Sequence, residues 1–205
     1  VGVSVIGRGM IISNDYFVSL RGYFSPSDYR IKHNERELTE NEATTKLKQL
    51  RPLRYGYKDV IGRGSQEVYG FFAQDVSNVI PEAINHNIDY VPNIYEFCDV
   101  SNNIISLNAY DASTNLQVGD ELKLYIDEND EDKELEARVE SIDTSNNHIT
   151  TNMDLSGNVF VYGKKVNDYH VLKKESIFTL TTASVIELIK RVESLEARLT
   201  ALEPQ

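Results

Sequence analysis

The first hydrophobic segments of the chain are short and rich in β-branched and aromatic residues. VSVIG, MIIS and YFVSLRGYF lie within residues 1–24 and are broken by Gly7, Gly9 and Gly22, a pattern that predicts strands. These strands form either an N-terminal hairpin of the domain that follows or the last turn of a longer β-structured stalk. Since position 1 is not methionine, we expect the chain to be a piece of a longer polypeptide.

A helical pattern follows between residues 35 and 50. Thr39 and Glu42 have the spacing of a capping box, and apolar residues recur after them at helical intervals until Pro52. These apolar residues are Ala43, Leu47 and Leu50. The next segments, LRYGYKDV and EVYGFFAQDV, predict strands joined by the loop IGRGSQ, and VSNVIPEAI predicts a short helical turn.

Residues 98–165 predict a small all-β module. NIISLNAY, ELKLYID, LEARVESID, HITTNM and NVFVYGKKV are short runs separated by turn residues, which is typical of a small barrel or sandwich. The acidic run DENDEDKE, residues 127–134, lacks the turn glycine of a calcium loop. We therefore interpret it as a solvated hairpin tip.

The C-terminal segment carries a heptad pattern. Its apolar residues are spaced alternately three and four apart, with charged residues on both flanks. The apolar positions are Val185, Leu188, Val192, Leu195, Leu199 and Leu202, and the charged ones are Glu187, Lys190, Arg191, Glu193, Glu196 and Arg198. Such a narrow stripe favours a self-associating coiled coil over a helix packed on its own domain. The residue types alone do not choose between a dimer and a trimer.

The net charge of −11 is concentrated in the predicted β module. Residues 98–165 contain 14 acidic and five basic side chains, whereas nucleic-acid binding needs a basic surface. We therefore expect no nucleic-acid partner. The sequence has no run of 18 apolar residues and no signal-peptide pattern, so we expect no membrane partner either.

Candidate thiol and metal chemistry is sparse. Cys98 is the sole cysteine, which excludes an intrachain disulfide and predicts a small buried apolar residue. The four histidines show no metal-ligand spacing, and we expect no metal and no cofactor. They are His33, His86, His148 and His170.

The short segment SDYRIK carries a candidate nucleophile and base. The Ser27 hydroxyl attacks a carbonyl only when a base takes its proton, and Lys32 is a base only when its amine is neutral. Residues five apart in an extended chain lie up to ~17 Å from each other, so contact requires a bend or a second subunit. Nearby cations, Arg30 and Arg36, or burial at an interface would favour the neutral amine. On spacing alone, the alternative is a solvated turn with Asp28 as its N-cap.

Two longer segments carry an ordered set of motifs, SDYRIKHNERELTENEATTKLKQLRPLRYGYKD and YGFFAQDVSNVIPEAI. Their order resembles the intramolecular chaperone auto-processing domain, the endosialidase-type peptidase domain of phage tailspikes and fibres. The matching residues are Ser27, Asp28, Arg30, Lys32, Leu50, Pro52, Tyr55, Tyr57, Gly70, Phe71, Ala73, Gln74, Val76, Pro81, Glu82 and Ala83. DYVPNIYEF, VFVYGKKVNDYHVL and IFTLTTASVIELIKRVESLE are similar to the form of this domain in large DNA viruses, in which a β insertion precedes the C-terminal helix.

The resemblance implies an α+β fold with four parts. Residues 1–26 would end an upstream β-stalk, and residues 27–97 would form a small mixed chaperone and peptidase core. Residues 98–165 would be an inserted acidic β-barrel or sandwich, and residues 166–205 would return to the core and end in a trimeric coiled-coil helix. Such an intramolecular chaperone forms a homotrimer and aids folding of the upstream β-rich fibre of the same polypeptide.

The resemblance also implies single-turnover autoproteolysis by a serine peptidase. Cleavage at Pro26–Ser27 would use Ser27 as nucleophile and Lys32 as general base, with Asp28 and Arg30 shaping the turn. The protein would be made in the host cytoplasm and would belong to the fibre or spike of a virion.

Two alternatives to this interpretation stay open. One is a permanent trimeric cap without proteolysis, a structural virion protein. The other is a fibre tip that binds a host-surface glycan by stacking on aromatic residues near the start of the β module. These aromatic residues are Tyr90, Tyr95, Phe97 and Tyr110.

Overall fold

The computed structural model describes residues 26–128 and 131–202 and confirms a mixed α+β fold. The helices are α1 (Glu40–Leu47), α2 (Val60–Arg63), α3 (Ala73–Ser77), α4 (Ala112–Asn115) and α5 (Lys174–Thr200). The strands are β1 (Leu53–Tyr55), β2 (Val68–Gly70), β3 (Ile84–Val91), β4 (Glu96–Ser101), β5 (Ile104–Ser106), β6 (Glu121–Glu128), β7 (Glu131–Asp143), β8 (His148–Thr151) and β9 (Gly157–Leu172). The strands and stalk predicted at the N-terminus lie outside the described residues. None of the described helices is both long enough and apolar enough to span a membrane.

Seven strands form one antiparallel sheet that closes on itself. Neighbouring strands follow the order β3-β9-β4-β5-β8-β7-β6, and β6 also pairs with β9. The closing contact pairs Leu122 with Lys164 and Tyr125 with Phe160. The six strands from β4 to β9 therefore make a barrel without a free edge, which confirms the small barrel predicted for the middle of the chain.

The barrel interior is filled by apolar side chains from alternate positions of its strands. Leu122 and Leu124 of β6, and Val159 and Val161 of β9, are each at most 1% exposed. Such alternation follows from the two-residue period of a strand. Cys98 is also fully buried, and burial raises the pKa of its thiol to about 12, so the thiol stays neutral. Its predicted role as a small buried residue is confirmed.

Strand β9 extends beyond the barrel. Its first half pairs with β4 and β6, and its second half pairs with β3, from Val91–Lys164 to Ile84–Leu172. The barrel is therefore inserted into an antiparallel β3–β9 hairpin, and Val91 and Lys164 are direct partners at the barrel end of that hairpin. The sheet reaches beyond residues 98–165 on both sides.

A second, smaller core lies where α1, α3 and the start of α5 meet. Its buried members are Ala43, Val76, Ile80, Ala83, Ile84 and Leu180. The Lys173 N–H donates to the Ala83 carbonyl at 2.8 Å and fixes the start of α5 beside this core. Elements that precede the barrel in sequence, α1 and α3, thus pack against α5, which follows it.

Two segments predicted as strands are only partly extended. LRYGYKDV is a strand only in β1, and EVYGFFAQDV is a strand only in β2, before α3 begins. The helix directs Val76 into the small core and places Asp75 in its first turn, where the helix dipole favours a carboxylate. Packing of Val76 therefore overrides the strand propensity of the preceding aromatic residues. Strand β4 adds to the five strands predicted for the barrel, and β3 extends the sheet beyond the barrel.

Helix α5 spans most of the heptad segment and leaves its apolar stripe exposed. Each stripe residue is at least 47% exposed in the single chain. Glu187, predicted to be an exposed flanking charge, is instead 2% exposed. Its Oε2 accepts a hydrogen bond of 2.6 Å from Thr44 Oγ1 of α1, and Arg191 pairs with its Oε1. One face of α5 thus packs on α1, whereas residues 26–128 and 131–202 leave the heptad stripe uncovered.

Gly163 lies where β9 leaves the barrel. A Cβ at this position would lie 1.9 Å from the Val91 carbonyl oxygen and 2.9 Å from the Asn93 backbone nitrogen. Gly163→Ala should therefore force β9 away from the segment after β3 and lower the free energy of unfolding by at least about 2 kcal/mol. Urea denaturation followed by circular dichroism measures this change. Gly56→Ala is the control, since a Cβ there meets no atom within 4 Å; equal losses in both variants would contradict the prediction.

Candidate functional site

A 3₁₀ turn at Tyr29–Ile31 shapes the segment that contains the predicted site. Asp28 caps this turn, because its Oδ1 accepts a hydrogen bond from the Arg30 backbone N–H at 2.9 Å. The Arg30 guanidinium also donates to both carboxylate oxygens of Asp28, which holds the pKa of that carboxyl below its usual value. These two residues hold the turn together with contacts made inside the segment itself.

The turn brings the predicted nucleophile and base into contact. Lys32 Nζ lies 2.7 Å from Ser27 Oγ. The Lys32 N–H donates to the Tyr29 carbonyl at 3.0 Å, so the chain bends sharply between the two side chains. The bend that an extended chain would lack is thus present within one chain. At this distance a protonated Lys32 donates to the serine, and a neutral Lys32 would accept the serine proton.

The segment around this pair is open to solvent. Every residue from 26 to 37 is exposed, including Pro26 before the predicted scissile bond. Two apolar side chains of the turn share this exposure, since Tyr29 is 79% and Ile31 67% exposed. Exposed large apolar side chains such as these are suited to contact with another surface.

The two arginines predicted to act on Lys32 have carboxylate partners of their own. Arg30 pairs with Asp28, and Arg36 donates to both carboxylate oxygens of Glu42 in α1. The positive charges near Lys32 are therefore already compensated within the chain. The arginine pair with Glu42 also ties the segment to the first turn of α1.

Helix α1 connects the site segment to α5. The Glu42 N–H donates to Thr39 Oγ1 at 3.3 Å, which confirms the predicted helix start with Thr39 as N-cap, while the Glu42 carboxylate accepts from Arg36. One turn later, Thr44 Oγ1 reaches Glu187 and lies 3.3 Å from Ser184 Oγ. The sequence pattern gives no signal for this polar contact, because Glu187 has the spacing of an ordinary flanking charge.

Other residues of the ordered motifs build the small core. Val76 and Ala83 are buried there. The Tyr55 ring packs against Phe72 with centroids 5.6 Å apart, and Gly70 leaves room for it, since a Cβ on Gly70 would lie 2.8 Å from the Tyr55 hydroxyl. Val76 and Ala83 thus belong to the small core beside α1, whereas Tyr55 and Gly70 belong to the β1–β2 pair.

Two of the four histidines form a pair. His86 and His170 face each other across β3 and β9, with Nε2 atoms 3.2 Å apart. Across residues 26–128 and 131–202, no three metal-ligating side chains come together.

Four aromatic residues were predicted to stack on a glycan, and two of them lie at an open cavity. Tyr95 and Phe97 lie on its wall. Tyr90 is only 8% exposed, and Tyr110 is half-buried, with its hydroxyl accepting a hydrogen bond from Asn93 Nδ2 at 3.0 Å. Tyr90 and Tyr110 are therefore packing residues.

Comparison with known families identifies the front of the chain. Residues 27–85 match the family described as chaperone of endosialidase. The match begins at Ser27, the first residue of the serine–lysine pair, and runs through the small helices to the start of β3.

A viral relative aligns with most of the chain. It is the uncharacterized protein VP1 of Micromonas pusilla reovirus (isolate Netherlands/2005), and the two are 25% identical over 243 aligned residues that cover 92% of this chain. The chain spans only 13% of the length of that relative. The likeness supports a viral context, here through a reovirus protein.

Proposed function

We propose that this chain is the C-terminal intramolecular chaperone of a viral fibre or spike protein. It trimerises, aids folding of the upstream β-rich part of its own polypeptide, and then cuts itself at Pro26–Ser27. The observation that carries the proposal is the 2.7 Å contact between Ser27 Oγ and Lys32 Nζ at the first residue of the family match. The viral relative supports a place in the virion.

The serine–lysine pair accounts for the chemistry of the cut. Neutral Lys32 accepts the Ser27 hydroxyl proton, Ser27 Oγ attacks the Pro26 carbonyl carbon, and the peptide C–N bond breaks as a proton passes to the Ser27 nitrogen. The resulting ester between Pro26 and Ser27 is hydrolysed by water to a carboxylate and a free hydroxyl. Backbone N–H groups are suited to stabilise the oxyanion. The same pair can instead act on the equivalent bond of a neighbouring chain.

Self-association buries apolar surfaces that the single chain leaves exposed. The exposed heptad stripe of α5 has the spacing of a coiled-coil seam. The exposed Tyr29 and Ile31 are suited to contact with a neighbouring subunit, and burial beside them would favour the neutral form of the Lys32 amine. Assembly therefore precedes cleavage in this proposal.

The order of these events has a physical rationale. A β-rich fibre has many non-local contacts and folds slowly, so a compact trimer at one end aligns three chains in register. Cleavage after folding removes this nucleus, and the folded fibre then persists because its unfolding barrier is high.

A permanent trimeric cap without proteolysis is the second candidate function, and the solvent exposure of Ser27 and Lys32 favours it.

The first test separates a catalytic lysine from a structural cation. Wild type should lose its first 26 residues on incubation of the assembled protein, as followed by mass spectrometry, whereas Ser27→Ala should stay full length. Lys32→Arg keeps the positive charge but cannot act as a base, so it should also stay full length. Ser65→Ala and Lys58→Arg, at exposed positions, are the matched controls and should cut like wild type. If the wild type stays intact even with its upstream fibre attached, the cleavage proposal is wrong and the permanent trimeric cap is the remaining interpretation.

The second test concerns assembly through α5. Leu188→Asp combined with Leu195→Asp places charges in the proposed seam and should convert the trimer to a monomer, as measured by light scattering. Ser194→Asp combined with Ala197→Asp adds the same charges to the same helix outside the stripe and should leave the trimer intact. A trimer mass in both double variants would rule out the coiled-coil seam.

The third test asks whether the barrel contributes to the cut. Val91 and Lys164 are paired neighbours, so an Asn-Gly turn can replace residues 92–163 and close the β3–β9 hairpin. The shortened chain should keep the oligomer mass and the cleavage of the full chain. The comparison variant replaces residues 98–165 with the same turn and so removes residues that pair with β3. This variant should be less stable than the 92–163 replacement. Loss of cleavage in a folded 92–163 replacement would assign part of the site to the barrel.

A further inference from the structure

An aromatic cavity lies on the outer wall of the barrel, outside the site described above. It has a volume of about 510 Å³ and is bounded by β4, β6, β9 and by helix α2 with its N-cap residue Asp59. Small-ligand sites are typically about 300–1,000 Å³ in volume. The rings on its wall are Tyr95, Phe97, Tyr125, Phe160 and Tyr162.

These rings form a continuous wall around Phe160. The Phe160 centroid lies 4.9 Å from Phe97, 5.0 Å from Tyr95 and 6.3 Å from Tyr125. Phe97 is 64% exposed even though it belongs to this cluster. The cavity therefore offers aromatic surface to a ligand that arrives from solvent.

A carboxylate is fixed at this aromatic wall. Asp59 Oδ1 accepts hydrogen bonds from the Gly62 N–H at 2.9 Å and the Tyr95 hydroxyl at 3.2 Å, and Oδ2 accepts one from the Tyr162 hydroxyl at 3.2 Å. Within the part of the chain that the structure describes, Asp59 pairs with no lysine or arginine. Burial, and after it the Asp59 charge, raises the pKa of Tyr162. The cavity thus holds a negative charge without a counter-ion from the described chain.

We propose that this cavity binds an organic cation, either an alkylated ammonium group or a guanidinium group. A cation at the face of an aromatic ring is attracted by the ring quadrupole, and the nearby carboxylate adds a direct charge attraction. The surrounding residues 98–165 carry 14 acidic and five basic side chains, which raises the local concentration of cations. This proposal is independent of the chaperone function and of cleavage.

A neutral sugar fits this cavity less well. Sugar recognition needs polar groups that are available to the ligand, but the tyrosine hydroxyls already donate to carboxylates. Tyr95 and Tyr162 donate to Asp59, and Tyr125 donates to Glu134 Oε2 at 2.9 Å. The wall that faces a ligand therefore consists mainly of ring surface and negative charge.

Titration of the full chain with four probes tests the class of ligand. The chain has no tryptophan, and three of its 12 tyrosines line the cavity, so calorimetry is the main readout and a change in tyrosine fluorescence is the second. The probes are choline, acetyl-arginine amide, dimethylbutanol as the neutral isostere of choline, and lactose. At least one cation should bind saturably, and about tenfold more tightly than dimethylbutanol. Tighter binding of choline would indicate a free alkylammonium ligand, and tighter binding of the arginine derivative would indicate a side chain of a partner protein.

Two variants test the residues. Asp59→Asn keeps an oxygen for the Gly62 N–H and should weaken cation binding about tenfold while leaving dimethylbutanol binding unchanged. Phe97→Leu should weaken both cations, whereas Phe178→Leu, the same substitution at an exposed position of α5, should weaken neither. Thermal melts confirm that each variant is folded, and Phe97→Leu provides the residue test if Asp59→Asn unfolds.

Three outcomes would overturn the proposal. They are equal or tighter binding of dimethylbutanol or lactose, cation affinity unchanged by Asp59→Asn and Phe97→Leu, and no saturable binding of either cation to the wild type.

Discussion

The pairing of β9 with three other strands is the interaction on which the rest of the structure depends. One half of β9 closes the barrel by joining β4 to β6, and the other half pairs with β3. That second pairing returns the chain to the Ala83 carbonyl, where α5 begins. If β9 ended at the barrel, α5 would have no fixed position against α1, and the small core would lose Leu180.

The predictable parts of the fold are those with a strong local pattern. The capping box at Thr39, the barrel strands with alternating apolar residues, and the heptad of α5 are each visible in a short window of sequence. Strand β3 is different, because five of its eight residues, from Asn85 to Asp89, are exposed. Its extended shape comes from pairing with β9, a partner about eighty residues away in sequence, which a local pattern cannot reveal.

The residues of the candidate site and of the cavity likewise divide into those that local sequence predicts and those that depend on distant partners. Ser27 and Lys32 were predictable from the ordered motifs, and the cap that bends the chain between them depends on Asp28, which is local. Glu187 was not predictable, since its burial results from the packing of α5 on Thr44 of α1. The carboxylate of Asp59 was also missed, because its tyrosine partners, Tyr95 just before β4 and Tyr162 in β9, follow it by 36 and 103 residues.

The hairpin that carries the barrel also determines how the molecule responds to mechanical load. A force applied to the barrel is carried by β3 and β9 together, through Val91 and Lys164. Both strands are pulled in the same direction, along their own axes, so the hydrogen bonds between them are not opened one after another. The load therefore reaches the small core at Ile84 and at Leu172, two residues before α5 begins. The hairpin is thus a stiff arm that transmits a pull on the barrel to the packing of α1 against α5.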